Sequence, residues 1–139
     1  MPTWTHTITS SATPEAIWPY YADVTAWPVW DAGLEQVSLD GPFVAGSRGT
    51  LVVEGQPPLA YELLEVVEGR GFSDLTDIPG VVRLVFHHTL EAIPGGTSIT
   101  HVIEAEGPQA EAMLPVVTSD TPEAMESLAR LAESAQSSA

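Results

Sequence analysis

The 139-residue chain contains no cysteine, which removes disulfides, thiolate metal sites and cysteine nucleophiles together. That absence fits either redox compartment. Lysine is absent too: the cations are Arg48, Arg70, Arg83 and Arg130, set against 19 acidic residues for a formal net charge of -15. Binding a nucleic-acid backbone needs clustered cations that displace counterions, and scattered arginines in an acidic field are repelled instead, so nucleic acid is excluded as a partner. Anionic membrane surfaces are disfavoured for the same reason. Long apolar runs are also missing, with nothing approaching the roughly 20 residues that cross a bilayer, so no membrane span is expected. The first residues, Met1-Pro2-Thr3-Trp4-Thr5-His6, have neither the basic start nor the apolar stretch of a secretory signal, and a cytoplasmic location is expected. The acidity itself reads as a solvated surface, with steering of a cationic ligand as the alternative.

What is present suits one core. At 139 residues and 44% hydrophobic content, a chain can bury roughly two-thirds of the surface it exposes when unfolded, which predicts a single domain over 1–139. Threonine alternates with Trp4, His6 and Ile8 in the period of a half-buried strand. Thr13-Pro14-Glu15 then supplies a capping hydroxyl, a proline at the first helical position and an early acid, ahead of Ile17, Trp18 and Tyr21 at helical spacing. Trp27-Pro28-Val29-Trp30-Asp31 predicts a second short helix or turn, because its proline disfavours a continuous helix through Trp27. Asp23 and Asp31 read as helix-end caps or surface carboxylates.

From about Leu34 to Glu106 the pattern is six strands punctuated by turns at Gly41-Pro42, Gly46, Gln56-Pro57-Pro58, Gly69-Arg70-Gly71, Pro79-Gly80 and Pro94-Gly95-Gly96. The clearest pair is an antiparallel hairpin of Val81–Ile93 with Thr97–Glu106. A turn centred on Gly95-Gly96 sets His88 opposite Ile103 and Leu90 opposite His101. It puts Val82, Leu84, Phe86, His88 and Leu90 on one face with Ile99, His101, Ile103 and Ala105. After Gly107-Pro108, Ala110, Met113, Leu114 and Val117 and then Met125, Leu128 and Leu131 form a helical stripe that covers the sheet. Pro115 and Pro122 predict a break or kink in it, and Ser134 to Ala139 are small and polar enough to fray.

In this order the elements resemble the START-like or SRPBCC superfamily, which includes polyketide cyclases, aromatase/cyclases and lipid-transfer domains. The resemblance is carried by Ile8 with Thr13-Pro14-Glu15-Ala16-Ile17-Trp18, Ala22-Asp23-Val24, Trp27 to Asp31, Gly41-Pro42-Phe43 with Gly46, Tyr61-Glu62 with Gly69-Arg70, Leu84 to Leu90, and Gly96-Thr97 leading to Thr100-His101. It implies an α+β helix-grip fold: a curved seven-stranded antiparallel sheet around a long C-terminal helix, with two short helices after the first strand. It also implies an internal cavity for a hydrophobic small molecule.

The superfamily has no universal catalytic motif, so function rests on this chain's interior residues. The candidate lining is Trp30, Tyr61, Phe72, Leu84, Phe86, His88, His101, Ile103, Met113 and Val117, each of which ordinary core packing would also explain. His6, His88 and His101 fall on inward faces. Such imidazoles could hold zinc or transfer protons, but ligands on three separate strands form no recognisable metal signature, and neither metal nor cofactor is expected. His88, His101 and Tyr61 are the candidate acid/base groups. Glu62 with Glu65, and Asp74 with Asp77, read as solvated strand edges and turns. No phosphate loop, nucleophile elbow or His-Glu-x-x-His helix occurs. The leading reading is a binder of a lipid, polyketide or aromatic metabolite. A cyclase or dehydratase is the alternative, a protein-interaction module is the weaker one, and a homodimer through an edge strand stays open.

Overall fold

The threonine alternation produces β1 (Thr3–Ser10) in the computed structural model, which describes residues 2–137: the threonines are exposed while Trp4, His6 and Ile8 are half-buried. Helix α1 (Pro14–Ala22) starts as its sequence requires, the Thr13 hydroxyl accepting from the Ala16 N–H at 3.2 Å ahead of Pro14. A 3₁₀ turn (Val24–Ala26), capped by the Asp23 carboxylate, leads into α2 (Trp27–Trp30), with Pro28 in its first turn. Both indoles of α2 reach back to the end of α1, Trp27 Nε1 donating to the Tyr21 carbonyl at 2.9 Å and Trp30 Nε1 to that of Tyr20 at 3.1 Å. A buried indole N–H needs such an acceptor, and here it fixes the two short helices to one another.

Strands β2 (Leu34–Leu39), β3 (Arg48–Val53), β4 (Leu59–Val67), β5 (Gly71–Ile78), β6 (Val82–Ile93) and β7 (Gly96–Glu106) follow, and with β1 they form one antiparallel sheet in the order β1-β7-β6-β5-β4-β3-β2. The β6–β7 register differs by two residues from the expectation. The turn is centred on Pro94-Gly95, with Ile93 paired to Gly96, so His88 faces His101 and Leu90 faces Ile99. Proline supplies the φ of the first turn position, and Gly95, at φ +84°, supplies the positive φ of the second. A shift of two keeps every side chain on its predicted face but replaces each partner.

The C-terminal helical pattern divides where its prolines suggest, into α3 (Ala110–Thr118) and α4 (Thr121–Ser137), broken at Ser119-Asp120. Ser134 to Ser137 continue α4, while Ser138 and Ala139 lie outside the described residues. Helix α4 packs on α1, α2 and β1, whereas α3 lies on β7, β1 and β6. The apolar interior divides with them. One cluster beneath α4 gathers Ile17, Tyr21, Trp27, Trp30, Tyr61, Leu63, Phe72, Ile99, Met125 and Leu128. A second beneath α3 gathers Val82, Leu84, Ile103, Ala105, Ala110 and Leu114, with Trp4, Phe86, Met113 and Val117 half-buried against it.

Candidate functional site

Cross-strand pairing places the candidate residues in rows on the concave face of the sheet. One row runs Phe72, His88, His101 and His6 across β5, β6, β7 and β1. The next runs Leu63, Asp74, Phe86, Ile103 and Trp4, and the third Tyr61, Thr76, Leu84 and Ala105. Met113 and Val117 approach from α3. The structure thus brings all ten predicted lining residues to one interior. It also divides them between the two clusters, with Trp30, Tyr61 and Phe72 at the α4 end and Leu84, Phe86, Ile103, Met113 and Val117 at the α3 end.

The imidazole row is part of a ring cluster centred on Tyr21. Tyr21 contacts Phe72 at 5.1 Å, His88 at 5.5 Å, Trp30 at 5.9 Å and His101 at 6.0 Å between centroids. The Phe72 and His88 rings stack at 4.0 Å, and His88 meets His101 edge-on at 4.6 Å. His88 Nδ1 lies 3.2 Å from the Phe72 carbonyl, so that nitrogen carries the proton and donates. His101 Nε2 and the Tyr21 hydroxyl are hydrogen-bonded at 2.8 Å. Although His88 keeps a half-buried surface, its ring is enclosed by Phe72, Tyr21 and His101. Burial, partly opposed by the Phe72 carbonyl, pushes its pKa down to about 3. Burial first, then His88 and His6, also hold His101 well below the ordinary range. Both imidazoles are neutral across physiological pH. Among the described residues no group of three or more His, Asp or Glu is arranged to hold a metal ion.

Tyr61 is held with equal specificity. Its ring passes over Gly49, its partner on β3, and the hydroxyl donates to the Ser38 carbonyl on β2 at 2.8 Å. A Cβ on Gly49 would meet the Tyr61 ring at 2.8 Å and would collide with the Ser38 carbonyl oxygen, so only glycine admits this crossing. Burial, with the Asp74 and Asp40 carboxyls, pushes the phenol up.

Asp74 corrects the expectation of a solvated turn. Only Asp77 is exposed; Asp74 lies inward on β5, 4% exposed, between Leu63 and Phe86. Among the described residues its Oδ1 has no hydrogen-bond partner, and neither has the Oγ1 of Thr76, two residues on and 3% exposed. Burial, against its own backbone N–H, raises the carboxyl to about 8. The signal was present in the sequence, since counting by two from Phe72 puts Asp74, Thr76 and Ile78 on one face of the strand. Tyr21 was readable only as a helix-stripe residue, because its bond to His101 spans 80 positions of sequence.

Asp31 also carries more than a capping role. It accepts the Gly33 N–H at 3.2 Å, and burial raises it to about 6, the Gly33 bond opposing and the Asp120 carboxylate adding to the rise. Two depressions on the surface of the described residues are both open. The first, about 550 Å³, lies at Pro2, Glu106, Gly107 and Glu111. The second, about 320 Å³, lies on the convex face at Glu65, Arg70, Ser73 and His87 and reaches Phe72 and His88.

Residues 1–133 match the family model for polyketide cyclase / dehydrase and lipid transport proteins. No curated protein sequence matches the chain. Among solved structures, protein MLL2253 from Mesorhizobium loti is 20% identical with a TM-score of 0.80, over 95% of this chain and 97% of that one. The protein Ara h 8.0201 is 14% identical with a TM-score of 0.75, over 96% and 98%. The di-domain ARO/CYC StfQ from the steffimycin biosynthetic pathway is 8% identical with a TM-score of 0.82, and 97% of this chain covers 51% of it. Identities of this size show a shared fold alone.

Proposed function

Because the chain belongs to the polyketide cyclase / dehydrase and lipid transport family, we propose that it binds a hydrophobic small molecule between the concave face of the sheet and α3. The observation that carries this reading is the division of the interior. The α4 end holds most of the largest fully buried side chains, Tyr21, Ile17, Leu63, Ile99, Met125 and Leu128, with Trp18, Leu34 and Phe43 half-buried against it, whereas among the described residues the α3 end holds only Val82 of that kind. At the α3 end, Trp4 and Phe86 on the sheet and Met113 and Val117 on the helix remain half-buried. Large apolar groups left partly wet on two facing elements are the features a bound apolar molecule would cover. Leu84 and Ile103 form the floor in this reading, and Phe72, His88 and His101 the end wall.

The acid/base alternative has less support from the three groups the sequence nominated. A proton-transfer group works best with its pKa near the operating pH, whereas His88 and His101 are held far below it and the Tyr61 hydroxyl is committed to Ser38. A binder or carrier therefore ranks ahead of a cyclase or dehydratase.

The test is native mass spectrometry of the purified protein beside a denatured control, followed by thermal melts with fatty acids, sterols and aromatic polyketides. A co-purified apolar molecule, or a melting temperature that rises with ligand concentration, supports the reading. Failure of the whole panel, with no retained mass, overturns it.

A further inference from the structure

Asp74 and Thr76 occupy alternate positions on β5, on the face covered by the helices, and lie along the seam between the two apolar clusters. On β4 their neighbours are Leu63 and Tyr61, of the α4 cluster; on β6 they are Phe86 and Leu84, of the α3 cluster. Each presents a buried oxygen with no partner among the described residues. Leaving one such group unpaired costs about 1–3 kcal/mol, and a leucine–valine pair at the same positions would incur no such cost. Two orphaned oxygens side by side on one wall therefore call for a complementary group from outside the chain.

The chemistry of that group follows from what surrounds it. Arg48, Arg70, Arg83 and Arg130 are all exposed, and the protein has no lysine, so no side-chain ammonium or guanidinium lies beside Asp74. In apolar surroundings without a counter-ion the carboxyl is held in its neutral form and offers an O–H donor. The Thr76 hydroxyl offers a second. Two O–H donors on an apolar wall complement an oxygen acceptor carried by an apolar body. A ligand carboxylate is the wrong partner: it would bring a buried charge with no cation to meet it into a protein of net charge -15.

We propose that Asp74 and Thr76 are the polar anchor of the ligand site, binding the carbonyl oxygen of an otherwise apolar molecule, and that the site selects neutral ketones and quinones over fatty-acid-type carboxylates. The proposal rests on the apolar-ligand reading above and adds to it the functional group recognised.

Three naphthalenes that differ only in one substituent provide the test: 2-acetylnaphthalene, 2-ethylnaphthalene and 2-naphthoate, measured by equilibrium dialysis at pH 7 against the wild type, Thr76→Val, Asp74→Leu and the double variant. The wild type is expected to bind the ketone about tenfold more tightly than the hydrocarbon, the value of one net hydrogen bond, and the carboxylate most weakly. Thr76→Val, which keeps the side chain's shape, and Asp74→Leu are each expected to cut the ketone's advantage to about threefold, and the two together to bring it close to unity, while hydrocarbon binding stays within about threefold. With carbonyl-labelled ketone, the ¹³C resonance should move downfield on binding to the wild type and much less in Asp74→Leu. Equal binding of ketone and hydrocarbon by the wild type overturns the anchor and leaves the apolar-ligand reading standing. Preference for 2-naphthoate, or a ketone advantage that survives both substitutions, also overturns the anchor. No uptake of any of the three overturns the anchor together with the reading beneath it.

Discussion

Replacing Asp74 with asparagine should change the pH dependence of stability in a defined window. In the folded protein the carboxyl titrates near 8, against an unfolded value near 3.8. An acid whose folded pKa is raised contributes stability that is complete below pH 4 and is lost as pH climbs towards 8, because over that range the unfolded chain releases the proton first. His88, lowered to about 3, and His101, also lowered, act in the opposite sense, costing stability as pH falls below 6.5. Asp31, raised to about 6, has nearly finished its contribution by pH 6.5. Between pH 6.5 and 8, Asp74 makes the largest of these contributions, opposed by His88 and His101, whose unfolded-state imidazoles are still losing protons over the lower half of the window. One proton corresponds to about 1.4 kcal/mol per pH unit, so Asp74 alone should remove about 1.6 kcal/mol across the window and the wild type, after the histidines return roughly 0.8 kcal/mol, should lose about 1 kcal/mol. For a chain of this length that is roughly 4 °C in Tm. Urea unfolding at half-unit pH steps measures it, with m held constant as the check on two-state behaviour. Asp74→Asn should not fall over the same range and should rise slightly, by the histidine contribution alone. A wild type without slope, or a slope of the same size in the variant, refutes the assignment of a neutral buried carboxyl.

Tyr21→Phe removes the hydroxyl bonded to His101 inside a fully buried cluster and should cost about 1–3 kcal/mol in urea unfolding. Phe72→Ala, which empties the ring stacked on His88 and packed against Tyr21, should cost about 3–5 kcal/mol by the same measurement. Gly49→Ala forces the Tyr61 ring off its crossing and should cost at least about 1–3 kcal/mol, with loss of the near-ultraviolet circular dichroism of the Trp27–Tyr61 pair. Arg48→Ala, breaking the exposed pair with Glu62, should change stability by less than about 1 kcal/mol.

The elements were legible because their signals are local. Threonine alternation, the Thr13-Pro14-Glu15 cap and the paired glycines and prolines each act within a few residues. The sites that required coordinates depend on pairings between distant strands. The His88–His101 contact turned on whether Pro94-Gly95 or Gly95-Gly96 centres the turn, a difference of one residue in the turn that moves every partner by two. The charge of Asp74 points to solvent, whereas its place in the strand period, set by Phe72 two residues earlier, points inward, and the strand period prevails. The split of the core into two clusters depends on how α3 and α4 diverge at Ser119-Asp120, and the helical stripes of Met113 and Met125 look alike until they are placed against different strands.

The break between α3 and α4 also separates two scales of motion. Helix α4 is tied into α1, α2 and β1, including the Glu133 bond to the Ser10 hydroxyl at 2.7 Å, so its amides should open only when the whole domain unfolds. Helix α3 spans nine residues, has no side-chain cap at its start and holds Pro115 within it. These features predict that it opens from the sheet ahead of the rest, at a free energy below that of global unfolding. Amide exchange would then register two protection classes along what the fold presents as one C-terminal arm. The faster class would belong to the helix over the half-wet interior, so that access to the inside does not require loosening the end that holds the molecule together.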